Sequence, residues 1–328
     1  MKIAAFSTGC EQLTRRNVVA PNGKNGWQYF PATDYGGIAE YNPDVIWLGG
    51  VFAGDYGGWI QYKAMWGSCK RIVLHWVGSD TVICKNFWDV GQRTMFKEFH
   101  SDRFLHIPSS EGLKKELKDW FGIESTDPLD IPAEKVFQEI PKPKQYTIGF
   151  YLPPDRADFY NYDVMEQLTQ KFPDRDYRVV FYHWLPLFHD LKLAGPWSKR
   201  FALSREEYEG VIADCSAIVR IPKHDAVSIS AGEFLMSGRP FISHHDIPMW
   251  PAKLKADNLT PEAINSVILD TAGQKVPKKV QEYYRNAYDP AKYHERVMAR
   301  CQKQWPELMV DVPEEVSISK ETLEVVDV

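Results

Sequence analysis

From Ala217 to Ser243 the chain reads Ala-Ile-Val-Arg-Ile-Pro-Lys-His-Asp-Ala-Val-Ser-Ile-Ser-Ala-Gly-Glu-Phe-Leu-Met-Ser-Gly-Arg-Pro-Phe-Ile-Ser. An apolar run of strand length, Ala217 to Ile221, gives way to a polar loop. A helix opens near Ser230, Gly238 ends it, and a second strand-like run follows at Phe241. In an open parallel sheet, ligands collect outside the carboxyl ends of strands. A loop of small residues running into a helix there offers backbone N–H groups and a positive dipole end to phosphate. Ser228 and Ser230 suit that end. Asp225 and Glu233 stand eight residues apart, one in the loop and one inside the helix, so both can face one pocket.

The same grammar of buried strand, loop and helix recurs on both sides. Upstream, strand-like runs at Tyr146 to Tyr151 and Arg178 to Tyr182 alternate with helical patterns at Tyr162 to Lys171 and Arg205 to Ala213. A separate series occupies the first part of the chain. Runs at Lys2 to Phe6, Asp44 to Leu48 and Arg71 to Trp76 read as buried parallel strands. Trp59 to Cys69, Phe87 to Phe99 and Glu111 to Phe121 carry helical apolar spacing. Asn17 to Tyr41 is dense in Gly, Pro and Asn and is expected to be a long surface loop with at most one short strand. Ser125 to Lys144, with Asp-Pro, Ile-Pro and Pro-Lys-Pro-Lys, suits a linker. The expected organisation is therefore α/β: a first Rossmann-like domain with linker over 1–145, a second over 146–310, and an acidic tail over 311–328. Val280 to Trp305 has helical patterning and is assigned to the second domain.

Of the formal charge of −5, none belongs to the two domains. Residues 1–145 carry 17 basic and 17 acidic side chains, residues 146–310 carry 21 of each, and residues 311–328 hold one Lys against six acids. A globally basic surface for nucleic acid is excluded, while a local basic cleft is not. The five cysteines are scattered without a C-x-x-C pair, which fits neither a disulfide framework nor a zinc site, and no run approaches a membrane span. A cytoplasmic location is the natural expectation, with no signal peptide at the N-terminus.

Asp225, seven residues, Glu233, then Phe-Leu-Met-Ser-Gly-Arg-Pro-Phe-Ile resembles the E-x7-E segment of the retaining GT-B glycosyltransferases, whose usual continuation is Glu-Ala-Met-Ala-x-Gly-x-Pro-Val-Ile. The departures are Asp in place of the first Glu, and Ala-Val-Ser-Ile-Ser in place of Gly-Phe-Gly. Ser204 to Val219 and His106 to Ile123 are similar to further units of that family. The resemblance implies GT-B architecture, two Rossmann-like domains in tandem around a cleft. It also implies transfer of a hexose from a nucleotide-diphosphate sugar, UDP-sugar favoured, to a hydroxyl acceptor with retention. No cofactor beyond the donor is expected.

On that resemblance Glu233 would bind the nucleotide ribose and Asp225 the donor sugar, with Arg156 and Lys223 balancing the diphosphate. His75, at a strand end, would touch the donor sugar, and Asp80 would bind the acceptor or act as a base. Each has a plainer alternative. Glu233 and Asp225 can cap or solvate, Arg156 can pair with Asp155 or Asp158, His75 can be a core histidine, and Asp80 can cap the next helix. Gly9 could approach the phosphates, and His183 could flank the base or simply pack. Cations and a helix dipole are expected to do the work of a metal. Trp27, Tyr29, Phe30, Tyr35, Trp59, Tyr62 and Trp66 could stack on a glycan, a small-molecule acceptor or an extruded base of modified DNA. A phage-type transferase acting on 5-hydroxymethylated pyrimidines is therefore one alternative. A nucleotide-sugar-binding protein without turnover is another, and an epimerase of similar topology a third.

Overall fold

The computed structural model describes residues 1–7, 11–51, 63–65, 67, 69–78, 80–86, 97–153, 156–183, 192–201, 204–225 and 228–308. Two five-stranded sheets, parallel throughout, organise it. The first contains β1 (Ile3–Phe6), β2 (Trp27–Tyr29), β3 (Val45–Gly49), β4 (Ile72–Trp76) and β5 (Phe104–Pro108), in the order β2-β1-β3-β4-β5. The second contains β6 (Thr147–Tyr151), β7 (Arg178–His183), β8 (Trp197–Phe201), β9 (Ala217–Val219) and β10 (Phe241–Ile242), in the order β10-β9-β6-β7-β8.

Both faces of each sheet are covered, which is why the strands are apolar without interruption. In the first sheet Ala4, Phe6, Ile46, Leu48, Ile72 and Leu74 point to one core, and Ile3, Ala5, Val45, Trp47 and Val73 to the other, following the two-residue period of a strand. In the second, Ile148, Phe150, Val179 and Phe181 pack on the helices Tyr162–Lys171 and Pro261–Thr271. The opposite face holds Val180, Tyr182 and Ile218 against the helices Arg205–Asp214, Ile229–Met236 and Lys278–Ala287.

Two expectations are corrected. The stretch 17–41 is not a long loop. A helical run begins at Glu11–Leu13, widens to π pitch over Thr14–Val19, closes through Ala20–Asn22, and is followed by β2 and the helix Tyr35–Tyr41. Its Gly, Pro and Asn serve helix ends. Pro21 occupies a first-turn position, Gly26 takes φ +84° at the exit, Asp34 accepts from Gly37 N, and Asn42 takes φ 47°. Tertiary packing settles the rest, since Trp27 is 3% exposed against Trp47 and Tyr293. Second, the helix Pro290–Gln304 lies on the first sheet although it follows the second in sequence. Its Tyr293, Val297 and Cys301 belong to the core of Ile3, Trp47 and Val73, and Trp27 Nε1 donates to His294 Nδ1 at 2.9 Å. The chain thus crosses back, and assigning residues up to 310 to the second half by sequence order misplaces this helix.

Of the helices expected from spacing, Glu111–Phe121 and Tyr162–Lys171 form as read, while most of 59–69 and 87–99 lies outside the described residues, as does the tail 311–328. Among the described residues no helix is long and apolar enough to cross a membrane.

Candidate active site

The helix Ile229–Met236 is buried on every side from Ala231 to Met236, so a carboxylate within it must find a partner. Gly232 makes this packing possible, because a Cβ there would stand 2.8 Å from the Tyr288 ring. Glu233, 2% exposed, accepts from Arg205 Nη1 at 2.7 Å. Arg205 is placed by the start of its own helix, where Ser204 and Glu207 form a reciprocal capping box. Burial pushes the Glu233 pKa up, while the charge and hydrogen bond of Arg205 and a hydrogen bond from Tyr208 pull against it.

This pair borders a cavity of about 620 Å³ shared by both halves of the chain. Ser230, Glu233, Tyr208 and Tyr151 form the wall from the second sheet, and Leu13, Arg16 and Asn17 form the wall from the helical run at the edge of the first. Asn17 Nδ2 also donates to Pro132 O at 2.8 Å, which fixes that wall to the linker. Ser228 precedes the helix in an extended conformation, and its carbonyl accepts from Ala231 N at 2.9 Å. Gly238, at φ +79°, closes the other end.

The second sheet changes direction between β6 and β9, the position at which such sheets open a crevice. Arg156 and Lys223 both leave the carboxyl ends of these two strands and both are exposed; Lys223 N is anchored to Phe159 O at 2.8 Å. Asp225 is held by Arg220, with Nε to Oδ2 at 2.6 Å and Nη2 to Oδ1 at 3.2 Å. Arg220 is 9% exposed and lies over the rings of Tyr151 and Tyr160. A carboxylate has more lone pairs than these two bonds use, so Asp225 retains acceptor capacity. His183 is buried with its ring 5.2 Å from that of Tyr151, which itself lines the cavity.

The residues expected from the first half are placed differently. His75 is fully buried. Its Nδ1 lies 2.6 Å from Tyr293 Oη, its Nε2 2.7 Å from Leu129 O, and its ring stacks on Tyr293. Burial lowers its pKa to about 3, so it is a neutral histidine of the core, and contact with a donor sugar is corrected to packing. Asp80 is also fully buried. Its Oδ2 accepts from Val77 N at 2.6 Å and Val51 N at 3.3 Å, and its Oδ1 from Thr81 N at 3.0 Å. It ties the loop after β3 to the loop after β4. Burial raises its pKa to about 7 in spite of those donors, and no lone role as a base follows from this geometry. Gly9 lies outside the described residues.

Next to Asp225, His224 reaches across to the first half. Its Nε2 is 2.9 Å from Glu116 Oε1, and Thr81 Oγ1 donates to Glu116 Oε2 at 2.6 Å. Burial alone would lower the His224 pKa, but the hydrogen bond and charge of Glu116, with Asp225 and Asp80, raise it above its ordinary value.

Sequence reasoning did not single out Arg205, Arg220 or His224. One signal was present: a lone Arg inside the apolar run Ala-Ile-Val-Arg-Ile requires an acid partner, and Asp225 follows five residues later.

No family model and no curated protein sequence matches the chain. Solved structures do. Sucrose-phosphate synthase from Thermosynechococcus elongatus superposes with TM-score 0.67 at 11% identity, over 94% of this chain and 100% of that one. An alpha-glucosyltransferase in complex with UDP and a 13-mer DNA containing a HMU base gives TM-score 0.57 at 11% identity, over 92% and 99%. TarM gives TM-score 0.53 at 12% identity over 78% of this chain, which spans only 54% of TarM. With two parallel five-stranded sheets flanked by helices, the chain has the α/β GT-B fold of these glycosyltransferases.

Proposed function

We propose that the protein is a glycosyltransferase that moves a hexose from a nucleoside-diphosphate sugar to a hydroxyl acceptor, with retention and without a divalent metal. The observation that carries this reading is the cavity of about 620 Å³ walled by both halves, with Glu233, Arg205 and Ser230 on one side of it. Its size suits a nucleotide. Glu233 accepts from the ribose hydroxyls, and the helix N-terminus after Ser228 with Arg156 and Lys223 offsets the charge that develops on the diphosphate as the bond to the sugar C1 breaks. Asp225, steadied by Arg220, accepts from a sugar hydroxyl. A structure of the same fold that holds UDP supports a uridine donor.

For the acceptor, Trp27 and Phe30 are buried in the first core and Arg15 lies over the Tyr29 ring, 4.2 Å from its centroid. Those groups are occupied by packing, so they offer a stacking platform to neither a glycan nor an extruded base. The test is a thermal-shift comparison of UDP, GDP and ADP, followed by transfer assays on sugar acceptors and on hydroxymethylated duplex DNA. Ligand at a hundred times its dissociation constant stabilises the fold by about 2.7 kcal/mol. Absence of a shift with every nucleotide would refute the reading, and transfer to DNA alone would reassign the acceptor.

A further inference from the structure

We propose that Arg205 is a positioning residue that holds Glu233 as a carboxylate aimed at the hydroxyls of a bound nucleoside, so that nucleotide binding without Arg205 becomes pH-dependent. This rests on the nucleotide reading of the cavity. Four observations lead to it. Glu233 sits where its helix is buried on every side, so water can reach its carboxylate only from the cavity. Arg205 supplies a cation at 2.7 Å, and both side chains are nearly enclosed, at 14% and 3% exposure. Arg205 is itself fixed from other directions: Nε donates to Glu209 Oε1 at 3.3 Å, and the guanidinium lies over Phe137, 4.8 Å from the ring centroid. Finally, the pair borders the cavity in which a ribose would have to find its acceptor.

Other groups around Glu233 do not replace Arg205. Glu134 from the linker and Glu11 from the helical run bring negative charge, and Arg16 shares the cavity wall without a hydrogen bond to Glu233 among those described. The hydroxyls of Tyr182, Tyr208 and Tyr288 are held well above their ordinary pKa by burial and stay neutral. Since burial already raises the Glu233 pKa with Arg205 present, removing the guanidinium carries it further upward. The carboxylate is then lost at a higher pH than in the wild type. A protonated carboxyl donates where a ribose hydroxyl needs an acceptor, so affinity falls on the acid side.

The experiment measures UDP affinity by calorimetry at pH 6 and pH 8 in the wild type, Arg205→Met, Arg205→Lys and Glu233→Gln. The wild type should vary less between the two conditions than Arg205→Met, which should bind several-fold more weakly at pH 6 than at pH 8, the loss approaching tenfold per pH unit below the displaced midpoint. Arg205→Lys should restore most of the flat profile, and Glu233→Gln should bind weakly at both. A second readout needs no ligand: carbon-13 NMR titration of the Glu233 carboxyl, identified by its absence in Glu233→Gln, should show its midpoint displaced upward in Arg205→Met. Arg205→Gln serves in the same way if the Met variant fails to fold. An unchanged midpoint, or the same pH profile with and without Arg205, overturns the proposal while leaving the nucleotide site intact. A midpoint displaced in Arg205→Met, together with a wild type that binds no nucleoside diphosphate, overturns the nucleotide reading and keeps the ion-pair role.

Discussion

The two sheets contain the same number of strands but are wound differently, and their polar residues have different fates. In the first, β1 has its neighbours β2 and β3 on either side; in the second, β6 lies between β7 and β9, a later strand brought back across the sheet. On and just after the last two strands of the first half, His75, Asp80 and His106 are used internally; His106 takes a bond from Trp76 Nε1 and binds Phe99 O through Nε2. At the strand ends of the second half, Lys223 and Arg156 are exposed, while Ser230 and Glu233 face the cavity. Polar residues near strand ends thus become scaffold in one half and stay exposed or cavity-facing in the other. What decides between them is coverage. The helix Pro290–Gln304 and the linker close over His75, whereas the corresponding end of the second sheet opens toward the other half.

The largest effect that would test this contrast comes from Asp225→Ala. It leaves Arg220 buried without its acid partner and is expected to cost about 3–5 kcal/mol of stability in urea unfolding. A loss below about 1 kcal/mol would mean that Arg220 finds other acceptors and that the pair is no anchor. Next, His75→Ala removes two hydrogen bonds and a stacked ring from the first core, and a loss of about 2–4 kcal/mol is expected. Nucleotide affinity of the folded fraction should remain unchanged; a fall beyond threefold would return His75 to the site. Lys223→Ala should do the reverse, leaving the melting temperature intact while weakening nucleoside-diphosphate binding by about 1 kcal/mol, as expected for one exposed cation.

The smallest effect concerns the contact between the halves. The folded-state pKa of His224 is raised, so its pairing with Glu116 is fully present below the unfolded value and fades as pH rises through the folded one. Raising pH from 6 to 8 should weaken the association of the halves by about 0.5–1 kcal/mol, read as faster proteolysis of the linker. Glu116→Gln should abolish that dependence.

Much of the fold could be read from the chain because local pattern and tertiary demand agree there. The helices Glu111–Phe121 and Tyr162–Lys171 have caps and apolar spacing within their own residues. The strand, loop and helix at Ala217 to Met236 were legible for the same reason. β8 was missed because Trp197–Phe201 sets three polar residues, Ser198 to Arg200, between two aromatics on an edge, where the uninterrupted apolar run of an inner strand is absent. The site was less legible, since its pairings are long-range. Glu233 meets Arg205 across 28 residues, His224 meets Glu116 across 108, and His75 meets Tyr293 across 218. Whether a histidine at a strand end faces ligand or core depends on a helix that arrives at the far end of the sequence. Residue type and spacing do not contain that information.

The π turn at Thr14–Val19 gives the cavity an unusual vulnerability. Ala20 N closes on Arg15 O, five residues back, so this run holds one more residue than an α-helix of the same rise would. Each residue turns an α-helix by about 100°, and excising any single residue there would relax the run to α pitch and rotate Leu13 and Arg16 relative to Asn17, which Pro132 holds in place. This wall is therefore set by residue count as much as by residue type. Point substitutions on the solvent face should pass unnoticed, whereas deletion of a residue of the run that does not line the cavity would deform the pocket while sparing every side chain that does.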